Sequence, residues 1–258
     1  MRRMMIAGNW KLNKTIGEAT AFADVLAKRL VSHDLRDVVI APPYTALAAV
    51  SQSLSGTHIA VSAQDVFYET EGAFTGAISA AMIKDAGCTY TLVGHSERRL
   101  YFAETVETTV KRLVAAKAVG LIPIFCVGET LQERESGRMH DVLRSQLSAL
   151  ATLDFSANAV VVAYEPVWAI GTGVVASESQ AQEAHAFVRG ILAPMGLSET
   201  RILYGGSVKP SNAAGLLAQS DIDGLLVGGA SLNITDFLKI IAAGQPGSYE
   251  DWFDLQFP

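Results

Sequence analysis

The sequence predicts an α/β protein folded as one closed eightfold β/α barrel, a (β/α)8 domain. Three observations carry that prediction. Short apolar or β-branched runs alternate with longer stretches of helical period along the whole chain. The short runs recur eight times. Runs such as Asp37-Val38-Val39-Ile40-Ala41 and Val160-Val161-Val162-Ala163 are nearly continuous in apolar character, as strands buried on both faces require. An open, doubly wound sheet is the alternative that pattern alone leaves standing.

Taken in order, the strands are expected at residues 5–9, 37–41, 59–63, 90–94, 121–127, 159–164, 201–205 and 224–228. The helical period is clearest at 15–31, 104–119, 131–150 and 178–193. Ser177 followed by Gln180 has the makeup of a capping box at the start of the last of these. Gly120 stands where a helix would end before the fifth strand. No Pro/Gly/Ser-rich linker or like-charge run divides the 258 residues. The chain therefore reads as a single barrel domain, with residues 244–258 as a C-terminal extension.

Composition excludes several classes. Half of the residues are hydrophobic and 18% are charged, which rules out disorder. The most apolar stretch, Ala159 to Tyr164, is stopped by Glu165, far short of the roughly 20 residues that cross a bilayer. A net charge of −6 argues against a general nucleic-acid or membrane-surface binder. Cys88 and Cys126 have no C-x-x-C spacing, and the first residues form no tripartite leader, so a reducing cytoplasm is the expected location. His33, His58, His140 and His185 show no ligand spacing, so no metal site is expected.

In such a barrel the chemistry collects at the C-terminal ends of the strands. The first run ends in Gly8-Asn9-Trp10-Lys11, the fourth in Gly94-His95-Ser96-Glu97, and the sixth in Tyr164-Glu165-Pro166. The seventh ends in Gly205-Gly206-Ser207 and the eighth in Gly228-Gly229. Glu165 follows a dry apolar run, and desolvation should raise its pKa and make it a better base. His95 precedes a segment that starts like a helix, where the positive end of the dipole favours a neutral, donating ring. A buried-stem Lys11 would hold an anion and offset developing negative charge. The two glycine pairs let backbone N–H groups approach a phosphate. Residues 166–173, with Pro166, Trp168, Gly171 and Gly173, have the makeup of a lid. Each residue alone also fits an ordinary structural role.

Together these motifs resemble triosephosphate isomerase. Gly8-Asn9-Trp10-Lys11, Val93-Gly94-His95-Ser96-Glu97-Arg98-Arg99, Ala163-Tyr164-Glu165-Pro166-Val167-Trp168 through Gly173, Tyr204-Gly205-Gly206-Ser207-Val208 and Val227-Gly228-Gly229 occur in that family's order and spacing. Cys126-Val127-Gly128-Glu129 and Gly72-Ala73-Phe74-Thr75-Gly76 match as well. The resemblance implies interconversion of D-glyceraldehyde 3-phosphate and dihydroxyacetone phosphate through a cis-enediolate, in glycolysis and gluconeogenesis, without metal or cofactor. It implies Glu165 as the base, His95 as the neutral electrophile, and Lys11 and Asn9 as stabilisers of negative charge. Gly171, Ser207, Gly228 and Gly229 would clamp the phosphate, with Ser96 and Glu97 in supporting positions. A homodimer is implied too, Thr75 entering the neighbour's site near Asn9.

Three features depart from the pattern. Ala77 stands where the family often has Glu, so an interface ion pair with the neighbour's Arg98 is expected to be missing. Val174-Val175 replaces a commoner Lys-Thr at the end of the lid, which should shift its open–closed balance. The extension carries Tyr249, Trp252, Phe253 and Phe257 among acids, and it either docks on a barrel surface or forms a disordered tail. A paralogue acting on a tetrulose phosphate and a non-catalytic barrel scaffold are the competing readings.

Overall fold

The computed structural model describes residues 2–30, 36–170 and 176–244. Eight parallel strands close into a barrel in sequence order: β1 Met5–Asn9, β2 Asp37–Ala41, β3 Ile59–Ala63, β4 Tyr90–Val93, β5 Ile122–Val127, β6 Val161–Tyr164, β7 Ile202–Tyr204 and β8 Gly224–Val227. The ring shuts where Gly8 of β1 pairs with Val227 of β8. Among the described residues ten α-helices follow: α1 Ile16–Arg29, α2 Leu47–Ser53, α3 Ala80–Asp85, α4 Ser96–Tyr101, α5 Val106–Ala118, α6 Leu131–Glu135, α7 Met139–Leu147, α8 Glu178–Leu192, α9 Pro210–Leu217 and α10 Ile234–Ala242. The open sheet is thereby excluded.

Every strand lies within two residues of its expected span. The helices follow their signals less closely. Ser177 caps α8 and Gln180 returns the bond, as the capping-box spacing predicts. Gly120 turns left-handed directly before β5. The expected helix over 131–150 is two helices, because Gly137 takes a φ of +73° and ends the first. The short helices α2, α3, α9 and α10 had no separate signal.

The strands bury both faces. Met5, Ala7, Val39, Leu92, Cys126 and Ala163 point inward and fill the barrel. Their neighbours Ile6, Val38, Ile40, Val93, Phe125 and Val162 point outward against the helices. That parity positions the site. Counting on by two from the inward residues of β1, β6, β7 and β8 brings Asn9, Glu165, Gly205 and Gly228 to the mouth.

Candidate active site

Glu165 sits one residue past β6 and is held by its backbone. Its N–H donates to the Val127 carbonyl of β5 at 2.7 Å, so the ladder continues through the functional residue. The side chain is 2% exposed. Oε2 accepts the Ser96 backbone N–H at 2.8 Å, and Oε1 lies 3.0 Å from Nε2 of His95. Burial works to raise the pKa of this carboxyl, but His95 and the Ser96 N–H outweigh it and the balance is lowered. The sequence expectation of a raised pKa is corrected for this position of the side chain: the dry wall is present, and so are donors that the sequence did not reveal.

His95 caps α4. Its Nδ1 accepts the backbone N–H of Glu97 at 3.2 Å, which leaves the proton on Nε2, facing Glu165. Burial presses the ring toward neutrality, and the carboxylate of Glu165 overrides it and raises the pKa. That support depends on Glu165 staying where it is. When the carboxylate moves away its contribution goes with it, and burial together with the charge of Lys11 presses the ring toward the neutral donor against Glu97.

Lys11 adopts a left-handed backbone, φ +52°. Three ties hold it there: its N–H donates to Oδ1 of Asn9 at 3.0 Å, its carbonyl accepts from Nε2 of Gln64 at 2.9 Å, and Nζ donates to Oε1 of Glu97 at 2.6 Å. Strain of this kind at a non-glycine residue persists only where the surroundings overdetermine it. A Cβ placed on Gly228 would lie 3.5 Å from Cε of Lys11, so the ammonium stem runs beside the eighth loop.

Asn9, Lys11, His95, Glu165, Ser207 and the pair Gly228–Gly229 all line one cavity of about 670 Å³. Ser207 donates its hydroxyl to the Ala169 carbonyl at 2.6 Å, tying the seventh loop to the segment that follows β6. Ser96 contributes its N–H to Glu165, and Glu97 bridges Lys11 and the His95 capping bond. Thr75 is exposed in its own loop and does not line this cavity. Gly171 and Val174-Val175 lie outside the described residues, as do residues 245–258.

Two supporting residues carried no role in the sequence reading. Glu129 is fully buried and accepts from Tyr164 Oη at 2.9 Å, Trp168 Nε1 at 3.0 Å and Arg134 at 3.1 Å, so it anchors the segment that follows β6. Its place in Cys126-Val127-Gly128-Glu129 was the available signal. Gln146 on α7 pairs its amide with both backbone groups of Gly128, at 2.8 and 3.0 Å. No local pattern marks it.

The arrangement places a carboxylate, a ring N–H donor, an ammonium and the backbone of a glycine pair around one small volume. A base and two electrophiles facing each other across such a space suit proton transfer next to a carbonyl, on a substrate held by a remote anion. Comparison with known proteins agrees. The family model described as triosephosphate isomerase matches residues 4–244. The triosephosphate isomerase of Citrifermentans bemidjiense is 51% identical over 249 residues, covering 93% of this chain and 98% of that protein. Those of Syntrophotalea carbinolica and Moorella thermoacetica are 52% and 51% identical, each over 247 residues with the same coverage. The chain belongs to the triosephosphate isomerase family.

Proposed function

We propose that the chain interconverts D-glyceraldehyde 3-phosphate and dihydroxyacetone phosphate, with Glu165 as the base. The observation that carries this reading is the convergence of Asn9, Lys11, His95 and Glu165 with the Gly228–Gly229 backbone on one cavity. Substrate phosphate binds the backbone of Gly228 and Gly229 with Ser207 and Gly171. Glu165 leaves Ser96 and takes a proton from the carbon beside the carbonyl. The electron pair moves to the carbonyl oxygen, giving the cis-enediolate, and the Nε2–H of His95 and the ammonium of Lys11 stabilise the charge. Protonated Glu165 then returns the proton to the neighbouring carbon, while the hydroxyl proton passes by way of Nε2 of His95 from the oxygen that becomes the new carbonyl to the oxygen that becomes the new hydroxyl. Water exclusion over the site strengthens the base and protects the enediolate phosphate from elimination.

Isomerisation of glyceraldehyde 3-phosphate by the purified chain, paired with Glu165→Gln, tests the assignment. Glu165→Gln should lower kcat by about 10²- to 10⁴-fold. A loss of less than tenfold would remove Glu165 as the base. Faster turnover on a tetrulose phosphate would change the substrate.

The same reading takes the chain as one barrel domain acting in the cytoplasm as a homodimer. A second cavity of about 480 Å³ opens beside the first, lined by Asn9, Lys11, Glu97 and Tyr101 among others, and it suits the neighbour's loop carrying Thr75. Cys88 and Cys126 are free and buried, consistent with a reducing compartment. Among the described residues no helix is long and apolar enough to cross a membrane.

A further inference from the structure

Lys14 lies three residues beyond Lys11 in the loop after β1, and the mechanism above does not use it. Its backbone is left-handed, with φ +74°. A residue with a Cβ is disfavoured there, so something must hold it. Its Nζ donates to the Leu232 carbonyl at 3.2 Å. The same Nζ stands 4.7 Å from the ring centroid of Phe22 and 5.4 Å from that of Trp10. Trp10 is fully buried and meets Phe22 edge-on at 5.0 Å, and Phe22 meets Phe237 of α10 at 6.4 Å. The lysine thus spans an aromatic stack that joins β1 to α10, with its charge over the rings and its donor on a backbone acceptor.

Leu232 closes the short turn Gly229–Leu232, whose other end carries Gly228 and Gly229 into the cavity. The near end of that turn is fixed locally, because Ser231 donates both its N–H and its hydroxyl to the Gly228 carbonyl, at 2.8 and 2.7 Å. The far end is tied to the first loop by Lys14. We propose that Lys14 is a positioning residue for the phosphate clamp, setting the Gly228–Gly229 backbone at a fixed separation from Lys11 and Asn9. The inference rests on the clamp reading given above. One substrate must be gripped at its phosphate by the eighth loop and at its reacting carbons by the first, and displacement of about 1 Å at either end costs heavily in rate. Backbone donors act on an anion fully only when they are held in place beforehand.

Three variants of the full chain, probed with inorganic phosphate by NMR titration, test this. Lys14→Met keeps the stem against the rings and removes the donor. Lys14→Gly removes the tether while suiting the left-handed backbone, so it preserves folding. Both should raise the phosphate dissociation constant by about 3- to 10-fold, the range that one hydrogen bond allows, and Lys14→Arg should restore most of it. In assays kcat/KM should fall by the same factor for glyceraldehyde 3-phosphate, and by less than about twofold for glyceraldehyde, which has no phosphate. Phosphate affinity unchanged in both Met and Gly variants overturns the tether, as do equal losses on the two substrates. A wild-type chain that binds no phosphate overturns the clamp reading and the tether with it.

Discussion

A Cβ built on Gly128 would lie 1.7 Å from the carbonyl oxygen of Glu165, and one on Gly205 would lie 3.0 Å from its Cγ. Glu165 is therefore seated between two residues that have no side chain. The two glycines are not equivalent, because the first meets backbone at 1.7 Å, whereas the second meets a side chain at 3.0 Å and backbone only at 3.3 Å. Gly128→Ala should push the Glu165 backbone away and strain the bond between the Glu165 N–H and the Val127 carbonyl, which sets the height of the Glu165 carboxylate above the barrel. A shift of about 1 Å at the base is worth on the order of 10² in rate, so kcat for Gly128→Ala should fall by that order, and that for Gly205→Ala by less. Steady-state kinetics on the two variants check the ranking. Equal, small losses would show that the β5–β6 ladder yields without moving Glu165. At the same scale the left-handed Lys11 shows why residue type alone left its role open: its position follows from Asn9, Gln64 and Glu97, which no local window contains.

Between elements, α8 is keyed to the barrel by His185. The ring is fully buried, edge-on to Tyr164 of β6 at 5.5 Å and tilted on Tyr204 of β7 at 6.1 Å. Its Nδ1 lies 2.7 Å from the Ala181 carbonyl, so that nitrogen carries a proton. Burial pushes its pKa down to about 4, with Asp223 favouring the charged form and Arg189 opposing it. The unfolded chain takes up a proton near the ordinary value of 6.5, which the folded chain refuses until about pH 4. Stability from this group is thus complete above pH 6.5 and is lost as the pH falls through that window, by about 3 kcal/mol at pH 4. Urea midpoints measured from pH 7 to pH 4 should decline less steeply for His185→Gln than for the wild type. Parallel slopes would mean that the ring takes up its proton in the fold near the ordinary value, as it does in the unfolded chain. This pairing also marks the limit of what the sequence discloses. The eight strands were legible because burial on both faces leaves continuous apolar runs, and the mouth residues were legible because strand parity carries Asn9, Glu165 and Gly228 inward. The break of 131–150 hung on Gly137 alone, which periodicity averages away. Ties such as Lys14 to Leu232, 218 residues apart, or Trp168 to Glu129, leave no periodic trace. The direction of the Glu165 shift was misread for the same reason: burial shows in the sequence, whereas the Ser96 N–H and the His95 ring that offset it come from another strand.

At the scale of the whole molecule, one flank of the mouth is apolar and open. Leu12 is 97% exposed, Tyr101 72%, Leu100 68% and Phe102 65%, and Leu12, Tyr101 and Phe102 border the second cavity. Large apolar groups gathered in this way mark an association surface. Arg98 bears on how that surface binds. Its guanidinium is already held within the chain by Asp65 at 2.8 Å and Glu104 at 3.0 Å, and Arg112 shares both acids. Ala77 therefore leaves no uncompensated charge, and the proposed homodimer would draw on apolar burial, worth about 1.5–3 kcal/mol for each large side chain taken out of water. Two outcomes follow for variants on this face. Ala77→Glu should shift the dimer dissociation constant by less than about tenfold, because Arg98 is occupied and a partly exposed pair gains little. On the homodimer reading proposed above, Leu100→Glu combined with Phe102→Glu should separate the subunits and lower turnover, because that reading seats the neighbour's Thr75 loop in the second cavity. Light scattering at micromolar concentration should give twice the 27.4 kDa chain mass for the wild type and for Ala77→Glu, and the single-chain mass for the double variant. A wild type of single-chain mass would refute the homodimer, and a double variant that separates yet keeps full turnover would show that the site is complete within one chain.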